Sequence, residues 1–157
     1  MAWTESKIFM ASIEDILENT TAMDVNSDTL KSALFDSSIT PSQIVPSAQT
    51  AYAAAAGIWD TGGVSDSPSW PAVGRDLLSV VSGFAANVYT LDAADTVSAD
   101  ATTDLANVFG DLVYDDTIAA PVADQGLCYR YFGGANSVVN GTFTVVHHGN
   151  GVMSLTL

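Results

Sequence analysis

Hydrophobic positions near the N-terminus follow a helical period. Between residues 5 and 19 the apolar side chains recur at the i, i+4, i+7 and i+8 spacing of one helix face, and acidic residues lie elsewhere. The apolar positions are Phe9, Ile13, Ile16 and Leu17. This pattern predicts an amphipathic helix, and the polar segment 19–28 after it makes residues 1–27 a helix with a connecting arm.

Two further elements are predicted before residue 71. Segment 29–35 has the composition of a strand and ends at the polar residues 36–38 and at Pro41. Segment 48–59 is rich in Ala, lacks Pro and precedes Gly62 and Gly63. It is therefore predicted to be a short helix.

Beyond Pro71, short segments of β type alternate with turn residues. They cover 76–84, 87–91, 105–114, 127–132, 142–147 and 152–157. The last two flank Gly149-Asn150-Gly151, a turn that tolerates positive φ, and are predicted to pair as a hairpin. Alternation within them nominates five side chains for buried faces: Phe143, Val145, Met153, Leu155 and Leu157.

The pattern as a whole predicts a mainly β fold. Regularly spaced short strands are typical of a β-sandwich or barrel-like domain. We expect one such domain of antiparallel strands over 28–157, with the N-terminal amphipathic helix and one short Ala-rich helix. The length of 157 residues and the 48% hydrophobic content suit a single core.

The charge balance narrows the possible partners. The chain has 18 acidic residues against four Lys and Arg, a formal net charge of -14, so nucleic-acid binding is not expected. No apolar run approaches the roughly 20 residues of a membrane span, so no membrane partner is expected either. The first residues lack the pattern of a secretory signal, which predicts a chain made in the cytoplasm and not exported.

Residues capable of chemistry do not form a convincing set. His147 and His148 are adjacent on a predicted strand and would point to opposite faces, which disfavours a shared metal or substrate. The single cysteine, Cys128, lies in an aromatic-rich strand and is predicted to be buried and unreactive. Nucleophile motifs and phosphate-binding glycine loops do not occur in the sequence. We therefore expect no catalytic residue, no metal and no cofactor.

Acidic pairs and tryptophans each have two interpretations. The pairs Asp115-Asp116 and Asp92/Asp95 could supply oxygen ligands to a hard cation, but acidic residues also favour turns, where they bind backbone amides. The tryptophans could form a sugar platform or a partner interface, although packing in a core is the commoner role. They are Trp3, Trp59 and Trp70.

Several short motifs occur in a definite order along the chain. They are 28–41, Gly63-Val64-Ser65, Trp70-Pro71-Ala72, 112–117, 126–134, 141–146 and 151–157. In this order they resemble a group of small structural proteins encoded among the virion genes of tailed phages. The resemblance covers about residues 28–157 and departs from the group at Val73-Gly74-Arg75, where a Gly-Gly pair is often found.

The resemblance implies a compact β-fold in the virion, a head decoration or minor capsid protein with no catalytic residues. We expect it to bind the major capsid protein on the outer surface of the head, as a homo-oligomer, and to stabilise the shell. One alternative is a tail or head-to-tail connector component. Another, from a different class, is a carbohydrate-binding β-sandwich module with Trp59 or Trp70 exposed.

The N-terminal helix is the expected contact with the shell. Such a helix can cover its own domain or dock on another subunit, and the polar arm behind it favours docking. The predicted contact residues are Trp3, Phe9, Ile13, Ile16 and Leu17.

Overall fold

The computed structural model describes residues 3–55 and 57–156, and antiparallel strands dominate it. The strands are β1 (Lys7–Ile8), β2 (Leu30–Phe35), β3 (Gly63–Val64), β4 (Arg75–Asp76), β5 (Val81–Ala85), β6 (Val88–Asp92), β7 (Thr96–Val97), β8 (Thr103–Asp115), β9 (Gly126–Gly141), β10 (Thr144–Val145) and β11 (Met153–Thr156). The helices are α1 (Met10–Leu17), α2 (Ser47–Thr50) and a 3-10 turn (Ile58–Asp60). A mainly β, sandwich-like fold with an N-terminal helix is thus confirmed.

Three sheets are present in the described residues. The largest, of six strands, has the order β1-β9-β8-β2-β3, and β4 also pairs with β2. The second has the order β11-β6-β5, and the third is the two-stranded β10-β7 ribbon. β8 and β9 are the longest strands and form the centre of the six-stranded sheet.

An aromatic cluster covers one face of the six-stranded sheet. Phe35 of β2 and Tyr114 of β8 belong to it, together with Trp59 from the 3-10 turn. The ring centroids of Phe35 and Trp59 lie 4.9 Å apart in an edge-to-face arrangement. Such pairs stabilise a core beyond the area they bury.

The opposite face of this sheet packs on the other two sheets. Val113 of β8 and Cys128 of β9 belong to one buried cluster with Leu91 of β6. Under the β10-β7 ribbon, the rings of Trp70 and Phe143 meet edge to face at 5.7 Å. Both faces of the six-stranded sheet are therefore covered by apolar side chains.

The Ala-rich segment 48–59 is helical only at its two ends, in α2 and in the 3-10 turn. Ala53 has a φ of 52°, which an α-helix does not allow. Tyr52 is held by the sheet instead, since its ring stacks on Tyr114 at 4.9 Å and its N–H donates to the Asp124 carbonyl at 3.0 Å. These tertiary contacts outweigh the helix propensity of Ala, so a short helix is present as predicted but does not continue through the middle of the segment.

The predicted hairpin of 142–147 with 152–157 is wrong. The turn at Gly149-Asn150-Gly151 does form, but the strands beside it enter different sheets: β10 pairs with β7, and β11 pairs with β6. The Val152 N–H donates to the Leu91 carbonyl at 2.7 Å, which directs the chain onto the edge of β6.

Of the five side chains nominated for burial, Phe143 and Val145 are buried. Met153 and Leu155 are half-buried, and Leu157 lies outside the described residues.

The predicted strand 76–84 is two strands, because the chain turns at Ser79, whose φ is 54°.

Candidate partner-binding surface

Helix α1 is fixed to the six-stranded sheet by its inner side. The Phe9 N–H donates to the Leu127 carbonyl at 3.0 Å, and the buried Ser12 hydroxyl donates to the Gly126 carbonyl. Gly126 permits this close approach, since a Cβ there would meet the Phe9 ring at 2.9 Å. The orientation of the helix is therefore set, and its other side faces outward.

Two of the predicted contact residues belong to the core. Trp3 is 5% exposed, and its indole N–H donates to the Asp36 carbonyl at 2.7 Å. Phe9 is fully buried, with its ring 6.1 Å from that of Trp59 and 5.4 Å from that of Tyr129. Trp3 and Phe9 thus hold the N-terminal segment onto its own domain.

The other three predicted contact residues face outward. Ile13 is half-buried, Ile16 is 41% exposed and Leu17 is 80% exposed. The helical period joined Phe9 to these three in the prediction, and Trp3 was added as the residue before the helix, but Trp3 and Phe9 both precede α1 and pack in the core. The outward three are therefore the part of the set that a partner can reach.

These three side chains form one wall of an open apolar cavity of about 300 Å³. The opposite wall is the three-stranded sheet. The cavity is lined by Ile8, Ile13, Ile16, Leu17, Met23, Val25, Tyr89, Leu127, Met153 and Leu155. All of these side chains are apolar or aromatic, and we call the cavity the apolar groove.

Strand register explains the far wall of the apolar groove. Leu155 of β11 lies opposite Tyr89 of β6, which lies opposite Phe84 of β5. Residues directly opposite one another share a face of a sheet, so these side chains form a row. Phe84 is 62% exposed and extends the row beyond the groove. Sequence patterns missed this wall, because alternation places residues on a face without saying which strands pair.

The apolar groove can bind apolar side chains of a partner. Burying one exposed Leu or Phe side chain contributes roughly 1.5–3 kcal/mol, and a few such anchors dominate most interfaces. Exposed Glu18 directly follows Leu17, so one negative charge lies next to the end of α1 that lines the groove.

A buried polar cluster joins the six-stranded sheet to the segment after β10. The Asp111 carboxylate accepts from Arg130 Nε at 2.9 Å and from the Ser32 hydroxyl at 2.5 Å. A second guanidinium N–H of Arg130 donates to His147 Nδ1 at 2.5 Å. Since Nδ1 accepts, His147 is neutral, and its Nε2–H donates to the Thr96 hydroxyl at 3.1 Å. Burial and the Arg130 charge both lower the pKa of His147. We call these five residues the Asp111 network.

His148 and Cys128 have different surroundings from His147. His148 is exposed, and its Nδ1 accepts from the Asn150 N–H at 3.1 Å. Cys128 is buried, and burial raises the pKa of its thiol to about 12, so the thiol is protonated at neutral pH. Within residues 3–55 and 57–156, no three His, Cys, Asp or Glu side chains are placed to hold a metal ion together.

Three of the four acidic residues named from the sequence accept from backbone amides, and the fourth, Asp116, pairs with the Lys31 ammonium at 3.3 Å. Asp95 accepts from the His147 N–H at 2.9 Å, and Asp92 accepts from the N–H of the next residue at 2.9 Å. Asp115 accepts from the Thr117 N–H, also at 2.9 Å. These bonds are the turn role that acidic side chains commonly play.

Trp59 and Trp70 are 1% and 0% exposed, so neither ring offers a surface on which a sugar could stack.

None of the helices in the described part of the chain is long and apolar enough to cross a membrane.

Comparison of the chain with protein-family models, with curated proteins and with solved structures found no match. A functional proposal therefore rests on the residues and their geometry.

Proposed function

We propose that this chain is a structural protein of a tailed-phage virion, a head decoration protein that docks on the major capsid protein from outside. The apolar groove carries the proposal, since exposed Ile16, Leu17 and Phe84 form a surface suited to being covered by a partner. The order of motifs that resembles tailed-phage virion proteins supplies the kind of partner.

The charges support an outer position on the head. A net charge of -14 disfavours contact with packaged DNA and helps to keep particles apart in solution. The charge of Glu18 beside Leu17 favours a partner whose apolar anchor is flanked by Lys or Arg.

A single substitution in the apolar groove tests the proposal. Leu17→Glu places a charge where the partner would bury an apolar side chain, and the fold should persist because Leu17 is 80% exposed. We expect binding to purified heads that lack the protein to weaken by about tenfold or more. Val73→Glu, at a 44% exposed position outside the groove, is the matched control and should bind as the wild type does. Unchanged binding of Leu17→Glu would remove the groove from the proposal.

Point substitution is sharper than deletion at this site. Removing residues 1–20 would also remove Trp3 and Phe9 from the core, so a loss of binding would not identify the groove.

Copy number tests the location in the virion. Quantitative mass spectrometry of purified virions should find this chain and the major capsid protein in a ratio near one or a simple fraction of it. A few copies per particle would indicate a tail or connector component instead. Absence from the particle would overturn the proposal.

A further inference from the structure

The outer half of β9 has a free edge. β1 pairs with β9 only at Cys128 and Tyr129, and the Ser6 hydroxyl accepts from the next edge N–H, that of Tyr131, at 2.9 Å. From Phe132 to Gly141, β9 has β8 on one side and no strand on the other, within the part of the chain that the structure describes.

This edge is uncharged in a strongly acidic chain. From Tyr131 to Leu157 the sequence contains no Asp, Glu, Lys or Arg, and this is its longest uncharged run. The nearby Asp104 belongs to β8, on the other side of β9, where its carboxylate accepts from the Asn140 N–H at 2.7 Å. Edge strands are commonly protected by charged side chains, Pro or β-bulges. The run from Phe132 to Gly141 has no charged side chain and no Pro, and its register with β8 shifts at three places.

The side chains of this edge allow close approach. The outward positions of β9 alternate with half-buried ones and carry small side chains: Gly133, Ala135, Ser137 and Val139. Val139 is 82% exposed. On the inner face, Phe132 and Val138 pack on a buried cluster, so the strand is held in place.

We propose that this edge pairs with the same edge of a second copy of the chain. Antiparallel pairing about a two-fold axis would join β9 to β9 and make one continuous sheet across two copies. The charge argues for this occupant, because two chains of net charge -14 repel each other wherever acidic side chains meet. The free edge of β9 brings two copies together without opposing carboxylates. A basic partner would gain nothing from an uncharged edge and would be drawn to the acidic surface elsewhere.

Sedimentation and light scattering of the isolated chain test this proposal independently of virion attachment. We expect the wild type to form dimers of twice 16.3 kDa at about 100 µM or below. Val139→Glu places a carboxylate beside the paired edge of each copy, in a dimer of two acidic chains, and should weaken dimerisation about tenfold or more. Leu17→Glu is the matched control, since Leu17 is 80% exposed in the apolar groove, and it should dimerise as the wild type does.

Salt provides a second readout. Raising NaCl from about 50 to about 500 mM screens the repulsion between the acidic chains and should tighten the dimer, whereas an interface built on ion pairs would weaken. A monomeric wild type at about 100 µM would overturn the proposal. So would an oligomer that Val139→Glu leaves intact while a thermal melt shows the variant to be folded.

Discussion

Strand β8 carries two fully buried aspartates, and the regions around them differ. Asp111, near the middle of the six-stranded sheet, accepts side-chain hydrogen bonds from both Arg130 and Ser32. Asp115, at the end of the strand, accepts from the Thr117 N–H through Oδ1, while its buried Oδ2 has no hydrogen-bond partner.

The groups next to a buried carboxylate decide whether the protein core can hold its charge. The Arg130 guanidinium balances the Asp111 carboxylate, so both charges can be buried together. Asp115 lies beside Asp28, a second carboxyl group. Burial raises the pKa of Asp115 to about 6, the Thr117 N–H opposes this shift, and the Asp28 charge adds to it. The region around Asp111 therefore holds a charge that Arg130 compensates, and we call it the compensated region. The region around Asp115 disfavours a negative charge, and we call it the uncompensated region.

Removing the cation from the compensated region should have the largest effect on the free energy of unfolding. Arg130→Met leaves the Asp111 carboxylate buried without its cation, and we expect the free energy of unfolding to fall by about 3–5 kcal/mol. Urea unfolding followed by tryptophan fluorescence at pH 7 would measure this loss.

A double-mutant cycle is the control for that loss. Adding Asp111→Leu to Arg130→Met removes both charges, so the double variant should be clearly more stable than the sum of the single changes predicts. Additive losses would mean that the two charges do not compensate each other.

Removing the ionisable carboxyl of Asp115 from the uncompensated region should have the next largest effect, and it should raise the free energy of unfolding. Because the pKa of Asp115 is raised in the folded state, from 3.8 to about 6, wild-type stability falls as the pH rises through that window. Asp115→Asn removes the ionisation, and its amide can donate to Asp28 while its oxygen still accepts from Thr117. We expect a gain of about 2 kcal/mol at pH 8 and little change at pH 3.5, measured by urea unfolding.

Asp60→Asn controls for net charge in that experiment. Asp60 is exposed, so the substitution removes the same charge without relieving burial and should change stability by less than about 0.5 kcal/mol. An equal gain from both variants would trace the effect to net charge rather than to the surroundings of Asp115.

Local sequence signals predicted single elements better than their pairing. The spacing of Ile13, Ile16 and Leu17 was sufficient to predict α1, and the apolar run 29–35 predicted β2. Pairing was missed because alternating strands look alike, and a tight turn does not force the strands beside it into one sheet. The free edge of β6 decided where β11 paired.

The same limit applies to the candidate sites. Helical period identified the α1 wall of the apolar groove, but the opposite wall required the register of Leu155 with Tyr89. Asp111 and Asp115 are both acidic residues of one strand. Whether the charge of each carboxylate is compensated depends on partners distant in sequence. Ser32 and Asp28 belong to the first part of the chain, and no local pattern connects them to β8.

The smallest expected effect on stability comes from His147, which accepts from Arg130 at the outer end of the compensated region. The pKa of His147 is lowered in the folded state by burial and by Arg130, so the unfolded chain takes up a proton near pH 6.5 before the folded chain does. Stability is therefore retained above pH 6.5 and lost as the pH falls below it. His147→Asn keeps an acceptor for Arg130 but cannot titrate, and it should make the loss of stability between pH 7 and 5 smaller. The measurement belongs in the Asp115→Asn background, because Asp115 titrates with the opposite sign in the same range. An unchanged pH slope would show that His147 does not accept from Arg130, and the Asp111 network would then end at the guanidinium.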